Sequence, residues 1–265
     1  MHDRIGLGCP EFAIRDPKET LEEMNGRIAR WEMLAEDRCA LPFAVGRLRE
    51  LLPSYDVALQ VHAPFSDLNP ASVNPAVKEF TLRTLEGTLE GSRALDVRVV
   101  TVHPGVVTPM GSILKGASIE NNIESFASLA RKADELGLRI ALENMPFPAF
   151  TLCNDAREMR EVLDDAGFPD ALGFCLDAGH ANITGGTAGL LGLKGRLFNV
   201  HLHDNDGRKD QHKAIGDGSV DIASVLRSLL PAYKGPLIIE GKGTDHVCLS
   251  QERLEEMLSA IGGWK

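Results

Sequence analysis

Residues 197–218 read LFNVHLHDNDGRKDQHKAIGDG, and this stretch indicates how the chain folds. Its first seven residues form an apolar run typical of a buried parallel strand. A polar loop follows, rich in histidine and aspartate, and closes with Gly-Asp-Gly. The stretch is thus either a strand that delivers chemically active side chains to a loop or a strand followed by a solvated acidic loop, and the rest of the chain decides between these two interpretations.

Apolar strands of this kind recur along the chain and alternate with amphipathic segments. Ile119, Ile123 and Phe126 recur at helical spacing before Gly137, and Asp16-Pro17 is typical of a helix start. The predicted strands cover residues 4–8, 31–36, 57–62, 97–103, 139–144, 172–177, 197–203 and 236–241.

Eight strands alternating with about eight helices predict an α/β fold, a single (β/α)8 TIM-barrel domain over residues 1–265. A doubly wound open sheet is the alternative. The early sequence GLGCPE lacks the GxGxxG pattern, which argues against a dinucleotide-binding version of that sheet.

Composition limits the classes of function. The chain is 43% hydrophobic, enough for a sizeable core, and its formal net charge of -10 argues against nonspecific nucleic-acid binding through a broad basic surface. Bound divalent cations would offset part of that charge, so a phosphorylated substrate stays possible. We expect a cytoplasmic protein with reduced thiols and no membrane partner, because the five cysteines are scattered and neither a signal-peptide pattern nor a membrane-length apolar run is present.

Most of the predicted strands end in a histidine or a carboxylate. In a barrel all these strand ends lie on the face that holds active sites. One such residue alone is often a helix cap or a hydrogen-bonded structural group, but six on one rim would repel each other or stay unsatisfied without a cation. The sequence therefore predicts a metal site formed by His62, His103, Glu143, Asp177, His201 and Glu240.

The loops add further candidate ligands. His180 follows Asp177 by three residues, and Asp210 and His212 point the same way if their loop is extended. Mixed imidazole and carboxylate ligands suit zinc, manganese or iron better than calcium, and zinc is not uniquely specified without sulfur ligands. Cys175, inside a predicted strand, is interpreted as a core thiol.

Several blocks occur in an order that resembles the xylose isomerase-like TIM barrels, which include the endonuclease IV-type apurinic-site endonucleases and many sugar isomerases and epimerases. The blocks are VHPG (102–105), ALEN (141–144), CLDAGHA (175–181), VHLHD (200–204) and DQHKAIGDG (210–218). They lie within residues 61–241, about two-thirds of the chain.

The resemblance to endonuclease IV-type proteins implies up to three zinc ions, or manganese or iron, on nine ligands. In that assignment His62 and His103 hold the first metal, and Glu143 bridges it to the second. Asp177, His201 and Glu240 complete the second metal, and His180, Asp210 and His212 hold the third. His203 shares a strand face with His201 and could substitute for it as a ligand, but the order of the blocks favours His201. His203 and Asp204 are then expected to support the ligands.

Three functions remain open. The first is a di- or trinuclear metal phosphoesterase that acts on a phosphodiester, with damaged, abasic-site DNA among the candidate substrates. The second is a sugar or sugar-phosphate isomerase or epimerase with one divalent metal on Glu143, Asp177, His201 and Glu240. In this second reading Glu143 and Glu240 are catalytic and move the proton. The third is a non-catalytic barrel that binds metal or phosphate.

The sequence leans towards the phosphoesterase, because an isomerase does not need His62, His103, Asp210 and His212 together. Lys242 and Arg208 are candidate phosphate contacts or plain surface cations. The DNA-gripping segments of endonuclease IV-type proteins have no match, since the chain opens with IGLGCPEF and carries EDRCALPF after its second strand. The metal cluster is therefore better supported than the DNA substrate.

Overall fold

The computed structural model describes residues 3–114 and 116–262 and shows a closed barrel of eight parallel strands. Each strand pairs with the next along the chain, and the last pairs with the first, which confirms the predicted (β/α)8 TIM barrel. The strands are β1 (Ile5–Gly8), β2 (Arg30–Leu34), β3 (Ala58–His62), β4 (Val99–Val102), β5 (Arg139–Glu143), β6 (Leu172–Asp177), β7 (Leu197–Leu202) and β8 (Leu237–Glu240).

Within the described residues ten α-helices connect the strands, two more than the expected eight. They are α1 (Pro17–Met24), α2 (Leu41–Leu51), α3 (Pro75–Ala94), α4 (Pro109–Ile113), α5 (Ala117–Leu136), α6 (Ala156–Asp165), α7 (Ala178–Thr184), α8 (Thr187–Leu191), α9 (Ile222–Leu229) and α10 (Thr244–Ile261). The surplus arises after β4 and after β6, where two helices follow a single strand.

The predicted helix ends reflect local chemistry. The Asp16 side chain accepts a hydrogen bond from the backbone N–H of Lys18, and Pro17 occupies the first position of α1. Gly137 ends α5 with a φ of 67°, a left-handed conformation that glycine adopts without steric cost. Both helix ends agree with the prediction from the sequence.

Strand register brings the candidate site residues to one level of the barrel. Asp177 pairs with His201 across β6 and β7, and Glu240 pairs with Gly8 across β8 and β1. His103 comes one residue after β4 rather than at its end, because the backbone pairing of that strand stops at Val102. The one-residue difference leaves the side chain at the carboxyl end of the barrel.

The core has an apolar shell and a polar interior layer. The strands pack against the helices with side chains such as Trp31, Phe126 and Phe174, all wholly buried. Inside the barrel, Asn199 on β7 reaches Glu32 on β2, two strands that are not neighbours in the sheet. The alternate residues 199, 201 and 203 therefore point inward, towards the same axis.

The helices within residues 3–114 and 116–262 contain no apolar stretch of membrane-spanning length.

Candidate metal centre

The nine predicted ligands lie together at the carboxyl end of the barrel. Their ligand-type atoms, with those of His203, form three groups, and within each group these atoms lie within 4.8 Å of one another. The first group is His62, His103 and Glu143; the second group is Glu143, Asp177, His201 and Glu240; the third group is His180, His203, Asp210 and His212.

Glu143 lies at the centre of the site and belongs to two groups. Its Oε2 atom lies 3.2 Å from Nε2 of His62 and 3.2 Å from Nε2 of His103. Its Oε1 atom lies 3.5 Å from Nδ1 of His201, on the side of the second group. The two oxygens of one buried carboxylate thus face two different groups.

Asp177 divides its oxygens between a helix and the second group. Oδ1 accepts a hydrogen bond of 2.6 Å from the backbone N–H of His180 and so caps α7. Oδ2 lies 3.9 Å from Nδ1 of His201, which is itself 3.2 Å from Oε1 of Glu240. The cap fixes the carboxylate and holds its second oxygen towards the cluster.

The third group joins the α7 end to the long loop after β7. Oδ2 of Asp210 lies 3.2 Å from Nε2 of His212 and 3.4 Å from Nε2 of His180, and Oδ1 lies 3.6 Å from Nε2 of His203. The rings of His203 and His212 stack at 4.1 Å. His203, which the sequence offered as a substitute for His201 or as a support for the ligands, thus lies among the potential ligands of the third group. Its two-residue spacing from His201 on an inward-facing strand was the signal for this position.

The loop is held by the buried carboxylate of Asp204. Oδ2 accepts hydrogen bonds from the N–H groups of Gly216 and Gly218, and Oδ1 accepts one from Val220. A Cβ on Gly218 would lie 2.2 Å from the carbonyl oxygen of Asn205, so only glycine fits there. The Gly-Asp-Gly sequence therefore packs around Asp204 and fixes the loop that carries Asp210 and His212.

Three histidines have one ring nitrogen engaged away from the cluster. Nδ1 of His62 lies 2.8 Å from the carbonyl oxygen of Ala63, and Nδ1 of His180 lies 2.8 Å from that of Asn144. A carbonyl oxygen can only accept a hydrogen bond, so these Nδ1 atoms carry the proton. The lone pair of Nε2 is then left to bind a metal ion. His201 has the reverse arrangement, since its Nε2 lies 2.7 Å from Oε1 of Glu32.

Charges in the cluster lower the pKa of Glu143 and Asp177 and raise the pKa of four of the histidines, which are His62, His180, His201 and His212. Burial alone would raise the pKa of Glu143, but the charges of His201 and His103 lower it well below its usual value. Burial would likewise raise the pKa of Asp177, yet the charges of His180 and His203 bring it down to about 2.

The pKa values of these four histidines shift in the opposite direction, whereas burial lowers the pKa of His103. Burial would lower the pKa of His212, but its hydrogen bond with Asp210 and the charge of Glu240 raise it to about 9. The pKa of His180 is raised well above its usual value against the effect of burial, mainly by the charge of Asp177. Protons on imidazole thus balance the carboxylates, and cations at the same positions would do so equally.

Several buried polar atoms of the cluster have no hydrogen-bond partner. They include Oδ2 of Asp177, Nδ1 of His201, Nε2 of His203 and Oδ1 of Asp210. Buried polar atoms are normally paired, and each of these four lies among the donor atoms of the second or third group. Imidazole and carboxylate donors that converge without sulfur fit zinc, manganese or iron. The residues present therefore fit the predicted type of metal.

An open pocket with about 730 Å³ of empty space lies above the three groups. One wall is apolar and contains Leu34, Phe65, Met145 and Phe147, and the ring of Phe65 stacks on His103 at 4.5 Å. Among the described residues that line the pocket there is no lysine or arginine. The two cations that the sequence suggested as phosphate contacts are exposed and are not in its lining.

Glu32 and Asn199 were not identified from the sequence as part of the site. Both are buried inside the barrel, directly beneath His201, and both contact each other. The available signal was Glu32 itself, which stands between Trp31 and Met33 in a predicted buried strand, because a buried charge needs a partner.

The sequence profile described as "Xylose isomerase-like TIM barrel" matches residues 17–261. The chain belongs to this family. A xylose isomerase-like barrel accounts for both the strand order and the convergence of ionisable residues at one end of the sheet.

The relatives and solved structures include uncharacterized proteins, probable endonucleases and sugar epimerases. The uncharacterized protein MJ1311 of Methanocaldococcus jannaschii is 35% identical over 237 residues, which cover 87% of this chain and 80% of that protein. A probable endonuclease 4 of Halorhodospira halophila is 27% identical over 195 residues, which cover 65% of this chain and 63% of that protein. The crystal structure of a D-tagatose 3-epimerase-like protein is 32% identical with a TM-score of 0.88 and covers 97% of this xylose isomerase-like chain and 98% of that one.

Proposed function

We propose that this xylose isomerase-like barrel is a metal-dependent phosphoesterase that binds up to three divalent cations. The observation that carries the proposal is the set of three donor groups, two of which share Glu143. One cation needs only one such group. Two further groups of imidazole and carboxylate donors around the same pocket favour a multinuclear centre.

Divalent cations, when bound, lower the pKa of water and offset the charge of phosphate oxygens. Glu143, with one oxygen on each side, is suited to hold two cations close together. Glu240 directs Oε1 to His201 and Oε2 towards His212, 3.7 Å from its Nδ1. Because Glu240 lines the pocket, Oε2 is the carboxylate atom best placed to accept a proton from an attacking water.

The lining of the pocket favours a small phosphate ester over duplex DNA. Proteins that bind nucleic acid neutralise several phosphates with lysine and arginine, and the described lining has neither. The net charge of -10 acts in the same direction. The apolar wall with Phe65 and Phe147 suits an organic group attached to a single phosphate held by the cations.

Metal content and hydrolysis test the proposal together. We expect chain purified without chelator to contain close to three metal ions and to hydrolyse bis(4-nitrophenyl) phosphate, with abasic-site duplex DNA as a weaker substrate. His62→Ala and His212→Ala should each lower the metal content by about one ion and reduce turnover at least tenfold. His246→Ala is the matched control, because this histidine belongs to none of the three groups.

A second candidate function, a single-metal sugar epimerase, is favoured by a specific observation. Glu143, Asp177, His201 and Glu240 form a complete four-donor group without the other residues. The epimerase-like protein with the TM-score of 0.88 supports the same candidate.

The same preparation separates the two functions. A content near one metal ion, abolished by Glu143→Ala but unchanged by His62→Ala or His212→Ala, together with conversion of ketohexoses, would establish the epimerase and overturn the phosphoesterase. Saturable metal binding with no turnover on either substrate panel would instead indicate a non-catalytic barrel.

A further inference from the structure

Beneath the second group lies a layer of buried polar side chains that the proposed chemistry does not use. Glu32 on β2, Gln60 on β3, Thr101 on β4 and Asn199 on β7 fill the barrel interior, and each is at most 3% exposed. A carboxylate is costly at such a position unless hydrogen-bond donors surround it.

Glu32 has donors on both of its oxygens. Oε2 accepts hydrogen bonds from the side-chain amides of Gln60 and Asn199, the latter at 2.7 Å. Oε1 lies 2.7 Å from Nε2 of His201. With two amide donors on Oε2 and an imidazole nitrogen beside Oε1, the carboxylate of Glu32 is placed to act as a hydrogen-bond acceptor.

The proton on His201 must therefore face Glu32. The two amide hydrogens of Asn199 are directed to Glu32 and, at 2.9 Å, to Oγ1 of Thr101. The amide nitrogen of Asn199 also lies 3.0 Å from Nε2 of His201, but both of its hydrogens are already used, so it does not donate a hydrogen bond to that atom. Glu32 is left as the acceptor for the N–H at Nε2, and this hydrogen bond turns the ring so that Nδ1 faces upward.

Nδ1 of His201 lies among acceptors that cannot donate to it. It is buried without a hydrogen-bond partner, 3.2 Å from Oε1 of Glu240, 3.5 Å from Oε1 of Glu143 and 3.9 Å from Oδ2 of Asp177. We propose that Glu32 is the positioning residue of the second group, which holds His201 with its proton on Nε2 and directs Nδ1 to a cation shared with the three carboxylates. This inference rests on the proposed metal centre and applies equally to the phosphoesterase and the epimerase.

Glu32→Gln tests the role with little change in volume. The glutamine side chain is uncharged, and its NH2 group faces either the amide donors of Gln60 and Asn199 or Nε2 of His201. The ring of His201 is then no longer held in a single tautomer. Loss of such an orienting partner typically weakens metal binding about 10- to 100-fold. We expect a loss of this size in Zn²⁺ titrations against a competing chelator, with a changed visible absorption spectrum of bound Co²⁺.

Thr101→Val is the matched control in the same layer. It removes the other acceptor of Asn199, at equal burial, without touching Glu32 or His201. We expect its Zn²⁺ affinity to stay within about threefold of that of the wild-type chain. If Glu32→Gln unfolds, Glu32→Asp replaces it, because the shortened side chain keeps the charge but cannot span the 2.7 Å contact.

Nitrogen-15 NMR of the histidines in metal-free protein provides a reading independent of any metal. In the wild-type chain at a pH where the ring is neutral, we expect His201 to carry its proton on Nε2, and in Glu32→Gln we expect a mixture of the two tautomers. Unchanged Zn²⁺ affinity and an unchanged tautomer in Glu32→Gln would overturn the inference. A wild-type chain that binds no Zn²⁺ would contradict the proposed function instead, while a His201 signal fixed on Nε2 would still identify the hydrogen bond to Glu32.

Discussion

His212 and Asp177 show how single residues in this cluster gain or lose protons on folding. The pKa of His212 rises from 6.5 to about 9, because its hydrogen bond with Asp210 and the charge of Glu240 outweigh burial. The pKa of Asp177 falls from 3.8 to about 2 despite burial, because protonated histidines surround it. In the metal-free protein the His212 shift therefore loses its stabilising effect as the pH rises, whereas the Asp177 shift loses its effect as the pH falls.

We predict that the chelated protein is most stable between about pH 4 and pH 6.5. The contribution of His212 is complete below its unfolded pKa of 6.5 and is lost as the pH rises through about 9. The contribution of Asp177 is complete above 3.8 and is lost as the pH falls through about 2. Thermal unfolding in chelator across a pH series measures both limbs.

The alkaline limb has a direct control. His212→Ala should flatten part of the decline between pH 6.5 and 9, whereas His246→Ala should leave it intact. A midpoint that stays constant from pH 6 to pH 9 in the wild-type chain would contradict the assignment of charge within the third group.

Gly179 leaves room for the ring of His203. A Cβ at this position would lie 2.1 Å from Cε1 and 2.4 Å from Nε2 of that ring. We predict that Gly179→Ala displaces His203 and removes about one metal ion per chain, measured by elemental analysis. The gain in helix propensity of up to about 1 kcal/mol does not offset this clash.

Gly87→Ala is the matched control for that substitution. Gly87 lies in α3, and a Cβ there would have open space around it. This variant should keep its metal and gain stability of up to about 1 kcal/mol. Equal metal content in both glycine variants would show that His203 is not needed among the donors.

Residue types at strand ends could be predicted, whereas residues within strands were missed. His62, Glu143 and Asp177 close their strands and were recognised there, since polar residues at the ends of apolar runs are conspicuous. Glu32 and Asn199 lie inside strands, each between two apolar neighbours. Their role depends on contacts across the barrel, and sequence periodicity does not report which strands face each other.

At the scale of elements, the segment between β7 and α9 contributes three of the four donors of the third group, and the first of them, His203, directly follows β7. The segment also carries Asp210 and His212, and its backbone pairs Asp204 with Lys213 in both directions, at 3.0 and 2.7 Å. The sequence placed Asp210 and His212 together on the condition that the loop is extended. His212 instead has a φ of 45°, in the left-handed region, and the two residues still belong to one group. The sequence did not predict α4 or the division after β6 into α7 and α8, because helices of five to seven residues carry little periodic signal.

We predict that Asp204→Asn loosens this loop without unfolding the barrel. The amide cannot accept all the N–H groups that the carboxylate accepts, and hydrogen bonds to charged groups contribute about 1.5–3 kcal/mol each. We expect faster trypsin cleavage after Arg208 or Lys209 and at least tenfold weaker binding of one metal ion. Both changes are measured on the same preparation.

Asp206→Asn is the control within the same loop. Asp206 is exposed and accepts hydrogen bonds only from the neighbouring N–H groups of Arg208 and Lys209. It should show wild-type metal binding. If Asp204→Asn resists trypsin as well as Asp206→Asn does, Asp204 does not hold the loop.

At the scale of the molecule, the donors come from six strand ends, an adjoining helix turn and one loop. Bringing them together places several carboxylates at one mouth of the barrel, and these repel each other unless protons or cations lie between them. Cation binding should therefore stabilise the barrel as a whole, since the donors are dispersed when the chain unfolds.

We predict that removing metal with a chelator lowers the midpoint of thermal unfolding by about 5–10 °C. A ligand at 100 times its dissociation constant contributes about 2.7 kcal/mol, and 1 kcal/mol shifts the midpoint of a domain of this size by roughly 2–4 °C. Readdition of Zn²⁺ or Mn²⁺ should restore the midpoint. An identical midpoint with and without chelator would argue against bound metal in the purified chain.

Glu143 belongs to both the first and the second group, and these two groups lie on two different arcs of the barrel mouth. One arc, from β5 to β8, contains all the donors of the second group, and the other group that shares Glu143 takes its imidazoles from the β3 and β4 ends. In the proposed metal centre, mutations at the β3 and β4 ends should therefore remove the cation of the first group and leave the donors of the second group in place.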